Sequence, residues 1–164
     1  MEPTRHHPTG TIELLVRDGA GASTGDHFVG WAVQALVEGF DSPALRQLAG
    51  SQGSSRSEAR PLFDRAVREL GLPVPATTDA LLRAYLDCVA DDIVNERRQP
   101  AQALDVIHKD VLGPLNHPED LMAWCYVWEG LDPARGFASL SGAERDDTAR
   151  ALARTRVKKD GGQS

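Results

Sequence analysis

The sequence predicts an all-α fold, a compact bundle-like domain of about seven helices joined by short Pro/Gly turns. Three observations lead there. Apolar residues recur at three- and four-residue steps along most of the chain. Capping residues at the starts and Gly or Pro at the stops punctuate those segments at short intervals. Only nine of the 164 residues are aromatic (4 Phe, 2 Tyr, 3 Trp), so Leu, Val and Ala must fill the interior, and small and straight-chain residues favour helix.

Residues 1–10 are polar and read as a disordered tail, and 11–157 as one helical domain. The segment TIELLVRD (11–18) places Ile12, Leu15 and Val16 on one helical face. After the flexible GAGASTG (19–25), Asp26 is expected to cap a helix over 27–38 that Gly39 closes. Its polar residues His27, Gln34 and Glu38 form one narrow stripe, and Phe28, Val29, Trp31, Val33, Leu36 and Val37 cover the rest. A helix apolar around nearly its whole circumference is expected to be buried. Ser42-Pro43 opens the next helix and Gly50 ends it. A helix over 57–70 follows the serine-rich GSQGSSRS, and Gly71, Pro73 and Pro75 stop it.

The longest helix is predicted over 78–97, with Thr77 or Thr78 as cap and Leu81, Leu82, Tyr85, Leu86, Val89 and Ile93 repeating at three- and four-residue steps. Pro100 opens a helix carrying Leu104, Ile107, Val111 and Leu112 that Gly113-Pro114 breaks. Pro118 opens PEDLMAWCYVWEG. Ser141 with Glu144 forms a capping box for the last helix, which is expected to fray into a basic tail over 158–164.

A formal net charge of −6 argues against a protein whose main task is gripping phosphate backbones, so nucleic-acid binding through the basic residues Arg154, Arg156, Lys158 and Lys159 ranks last. Residues 1–10 contain no apolar stretch of the signal-peptide kind, and no apolar run approaches the ~20 residues of a membrane span, so a cytoplasmic location with no membrane partner is expected. Cys88 and Cys125 lie in apolar helical patterns, where they read as small hydrophobes; the surroundings of Cys125 should raise its thiol pKa.

Familiar chemical machinery is missing. Gly21-Ala22-Ser23-Thr24-Gly25 spells Gly-x-Ser-x-Gly, but it lies in a flexible connection without the preceding strand of a nucleophile elbow. The sequence contains no His-Glu-x-x-His, no zinc-ligand spacing, no Glu-x-x-His and no P-loop, so no catalytic set, no metal ligands and no cofactor are expected. Two clusters remain. Asp87, Asp91, Asp92 and Glu96 pair one turn apart on the long helix, and Glu119 and Asp120 add to the acidic set. These six are the expected partner-binding face, although Arg83 pairing with Asp87 on a solvated surface would account for part of it. The second cluster is His108, His117, Trp124 and Trp128, the lining of a small-molecule pocket if there is one. The paired His6-His7 lacks the local structure that a specific site requires.

The phrases WAVQALVEGFDSPALRQLAG (31–50) and DVIHKDVLGPLNHPEDLMAWCYVWEGLDP (105–133) resemble a group of small acidic helical proteins from GC-rich bacteria. Some members of that group are similar to immunity proteins of bacterial toxin systems. The resemblance covers residues 11–133 and implies a helical fold; it brings no catalytic residue set. Together with the acid excess, it implies a non-catalytic protein-binding domain, an immunity-type inhibitor that docks an acidic helical face on a basic toxin domain. A ligand-binding domain or enzyme built around His108, His117, Trp124 and Trp128 is the alternative.

Overall fold

The computed structural model describes residues 7–160; of the tails expected over 1–10 and 158–164, residues 1–6, His6 included, and 161–164 lie outside the described residues. The protein is all-α, 68% helical, with eight α-helices and one two-stranded ribbon among the described residues. No described helix is long and apolar enough to cross a membrane. The chain divides into two compact units, one ending at Ala76 and the other beginning at Thr77.

The N-terminal unit contains α1 (Thr11–Gly19), α2 (Gly25–Val37), α3 (Pro43–Ala49) and α4 (Arg56–Glu69). Helix α2 starts earlier than the Asp26 cap predicts. Thr24 is the cap, and its backbone N–H donates to His27 Nδ1 at 2.9 Å, so an imidazole fills the role usually taken by Glu in a capping box. Ser42 caps α3 as expected, accepting from the Leu45 amide at 3.2 Å. The helix expected from residue 57 starts one residue earlier, at Arg56; Ser55 caps this α4 and donates its N–H to Glu58 Oε2 at 2.8 Å.

The core of this unit is Phe28, Trp31 and Phe63 packed against Leu45, Leu48 and Ala66. Phe63 lies 5.2 Å from Phe28 and 4.7 Å from Trp31 between ring centroids. Helix α2 is not buried all round: Val37 is 76% exposed and Val33 45%. Its inward face is Phe28, Trp31, Ala32 and Ala35, and one flank of this apolar cylinder is left facing outward. The Trp31 indole donates to Thr11 Oγ1 at 2.9 Å, and that hydroxyl donates to the Pro8 carbonyl at 2.7 Å. Pro8 is buried, so the ordered chain begins before Thr11.

Asp18, 4% exposed, is the buried charge of this unit. Arg56 Nε reaches it at 2.7 Å, Arg60 pairs with its other oxygen, and the Ser23 hydroxyl donates to it. The carboxylate therefore ties the end of α1 and the following loop to α4. Asp18→Ala should destabilise this unit by about 2 kcal/mol. That figure falls short of a deeply buried pair because both arginines keep a path to water. A urea midpoint unchanged by the substitution would show the network to be dispensable.

The C-terminal unit contains α5 (Thr78–Val94), α6 (Pro100–Val106), α7 (Met122–Trp128) and α8 (Gly142–Asp160). Thr77 caps α5 by accepting from the Ala80 amide at 3.1 Å. The helix stops at Val94, short of the expected 97, because Glu96 turns left-handed (φ 57°). The capping box of α8 forms as predicted, with Ser141 N–H to Glu144 Oε2 at 2.9 Å. Helix α8 then continues through Asp160 instead of fraying at 158. It packs on α5, with Ala149 and Ala153 buried one turn apart. Between α7 and α8, β1 (Leu131–Asp132) pairs antiparallel with β2 (Ala138–Ser139), a ribbon too short to leave an alternating pattern in the sequence.

Candidate functional site

The site of the C-terminal unit forms where α6 changes pitch. Residues Ile107–Leu112 continue α6 as a π-helical turn, closed by the Gly113 amide on the His108 carbonyl at 3.0 Å. Such wide turns occur mostly as single insertions within α-helices, and often at functional sites. The wider turn satisfies the core, since Ile107, Val111 and Leu112 are all completely buried. His108 is left half-buried at the rim of this turn.

Beyond the Gly113-Pro114 break, Asn116 (φ 58°) and His117 (φ 51°) are both left-handed. A left-handed conformation costs a side-chain-bearing residue roughly 1–2 kcal/mol. The chain is held there by the His117 amide on the Leu112 carbonyl at 2.8 Å and the Asn116 amide on Gly113 at 2.9 Å. This reversal brings the His117 ring back to His108, at 5.6 Å between centroids.

Helix α7 supplies the other wall. The Trp128 indole stacks on the His108 imidazole at 3.6 Å with planes 5° apart. The indole N–H donates to Asp105 Oδ1 at 2.9 Å, which fixes the ring from α6. One turn before Trp128, Cys125 is buried, and one nitrogen from each of His108 and His117 and the Cys125 sulfur all lie within 4.8 Å of one another. Burial raises the Cys125 thiol pKa, and the Glu129 carboxylate raises it further, as the apolar sequence around it predicts. A thiol in this state is a poor free nucleophile.

Of the four residues expected to line a pocket, His108, His117 and Trp128 come together. Trp124 is buried, and the ring contacts of the cluster are made by Trp128. Sequence reasoning missed Cys125, which reads as a core hydrophobe, and the supporting carboxylates Asp105 and Glu129. It also found no metal-ligand spacing, yet the fold gathers three donors of metal-ligating type.

The six acids of the expected docking face are placed differently. Asp87 pairs with Arg156 of α8, not with Arg83. Arg83 pairs instead with Asp79 at 3.0 Å and with Asp120 at 2.6 Å, and its guanidinium holds the Asp120 carboxyl below the usual range. Asp91 pairs with Arg97, and Asp92 is held by Arg97 at 2.8 Å and Arg98 at 3.7 Å. Glu96 lies past the end of α5, so it does not share a helical face with Asp92. Glu96 and Glu119 are exposed. Arg156 lies within α8 rather than in a basic tail. Much of the acidic cluster is thus countered by arginines of the same unit. Comparison with known proteins finds no matching family model, curated protein or solved structure.

Proposed function

We propose that the protein is a non-catalytic binding domain that takes a small molecule or ion at the His108–His117–Trp128 face of its C-terminal unit. The observation that supports this reading is the imidazole–indole stack at 3.6 Å, with a second histidine brought alongside by two left-handed residues. Structure-neutral surface histidines do not need a strained backbone to meet. The raised pKa of the Cys125 thiol favours binding over nucleophilic turnover at this face.

A second reading, docking of an acidic face on a basic protein domain, is favoured by Glu96 and Glu119, which are exposed and carry no ion pair among the described residues. Its field is weaker than the sequence suggests, since Asp87, Asp91, Asp92 and Asp120 all have arginine partners.

The two separate in an NMR titration of the full chain. Divalent metal ions, small carboxylates and small phosphates form one arm, and a basic protein domain forms the other. Ring resonances of His108, His117 and Trp128 should shift with at least one small probe. Trp128→Ala should weaken that probe roughly two- to tenfold through loss of the stack. Shifts confined to Glu96, Glu119 and their neighbours, with association slowed by salt, would transfer the function to the docking face.

A further inference from the structure

We propose that His108, His117 and Cys125 are the ligands of one zinc-type metal ion, with Glu129 as the fourth donor. This rests on the binding reading above and names its ligand. The donor set decides the class of ion. Two imidazoles and a thiolate suit zinc and its borderline or soft neighbours, whereas magnesium and calcium take oxygen ligands.

The geometry is near what such an ion requires. Tetrahedral zinc, at about 2.0–2.1 Å from nitrogen and about 2.3 Å from sulfur, holds its donors roughly 3.3–3.7 Å apart. The three donor atoms here lie within 4.8 Å of one another, so closing of about 1 Å by side-chain rotation completes the set. Glu129 Oε1 is 4.0 Å from the Cys125 sulfur, one helical turn on; it lies outside the group of three donors, so its carboxylate must swing toward the imidazoles to close the fourth position. Binding forms a sulfur–metal bond and releases the thiol proton to water. Thiolate and carboxylate together then balance the divalent charge, which makes a partly buried site tolerable.

The supporting contacts fit a metal site as well. A ligating imidazole is usually fixed by a neighbour; Trp128, anchored through its indole N–H to Asp105, stacks on the His108 ring and orients it. Three separate pieces of chain contribute donors: His108 from the π-turn, His117 from the reversed loop and Cys125 from α7. An ion there would pin the loop between α6 and α7 to both helices.

The test uses the full chain, reduced and stripped with a chelator, then titrated with Co²⁺ and Zn²⁺. Co²⁺ should bind one per chain with a sulfur-to-cobalt charge-transfer band and the intense visible bands of tetrahedral cobalt, and Zn²⁺ should abolish both. Cys125→Ser should remove the charge-transfer band, and Cys88→Ser should leave it. Because Cys125 is buried, His117→Ala is the second variant: it removes an exposed ring and should weaken Co²⁺ at least about tenfold without lowering the metal-free melting temperature. A charge-transfer band that survives Cys125→Ser, or a weak octahedral cobalt spectrum, overturns the metal assignment. Failure of both metals while His108 and Trp128 resonances still answer an organic probe overturns this inference and leaves the binding reading standing. Silence toward every probe overturns both.

Discussion

Phe63→Ala should destabilise the N-terminal unit by about 3–5 kcal/mol. Phe63 is completely buried and is the ring on which Phe28 and Trp31 both pack, at 5.2 and 4.7 Å. Its removal takes away the transfer free energy of the side chain and two aromatic contacts, and it leaves a cavity between α2 and α4 that the flanking helices fill only in part. Trp31, the tryptophan of this unit, reports its unfolding in a background where Trp124 and Trp128 are Phe. A loss below about 1 kcal/mol in urea would place the core elsewhere.

The second large effect is expected where no side chain exists. Gly25, the first residue of α2, lies against the backbone of Ser54 in the α3–α4 connection. A Cβ there would stand 1.7 Å from the Ser54 carbonyl oxygen and 2.7 Å from its carbon. The obstacle is backbone that is itself engaged: the Ser54 amide donates to the Ser51 carbonyl at 3.2 Å, and Ser55 caps α4 just beyond. Gly25→Ala therefore must push the start of α2 off α4. It should cost about 3 kcal/mol, at the high end for overpacking, although Ala is the better helix former. The same substitution at Gly30, where nothing lies within 4 Å, should raise stability by up to about 1 kcal/mol. Equal melting temperatures for the two variants would refute the contact.

The helix starts were legible because their chemistry is local. Ser42-Pro43, Thr77 and the Ser141–Glu144 box satisfy orphan amides with residues a few positions away, and each caps the helix that the sequence assigns to it. Where a different residue does the same job, the reading slips, as at α2, where Thr24 caps in place of Asp26 and His27 closes the box that a Glu usually closes. The outward flank of α2 shows a further limit: apolar content says how much of a helix could be buried, not how many neighbours arrive to bury it.

Charges were legible as a count but not as partners. Asp87 finds Arg156 only because α8 returns along α5, and spacing along α5 alone pointed to Arg83. The His108–His117–Cys125 cluster was the least legible part. It depends on a change of helical pitch and two left-handed residues, and neither has a residue signature of its own. Its only trace in the sequence is two histidines on either side of Gly113-Pro114, followed by a cysteine in the next helix.

The wide turn at Ile107–Leu112 makes the register of this stretch a matter of a single amino acid. One residue advances an ordinary helix by roughly 100°, so shortening the turn by one restores regular pitch and changes the bearing of everything before it relative to everything after. Apolar side chains have neighbours on many sides and could repack around such an edit. Imidazole and indole have one way to lie flat against each other, and a chain with a single deletion here would keep a similar outline while losing the His108–Trp128 stack.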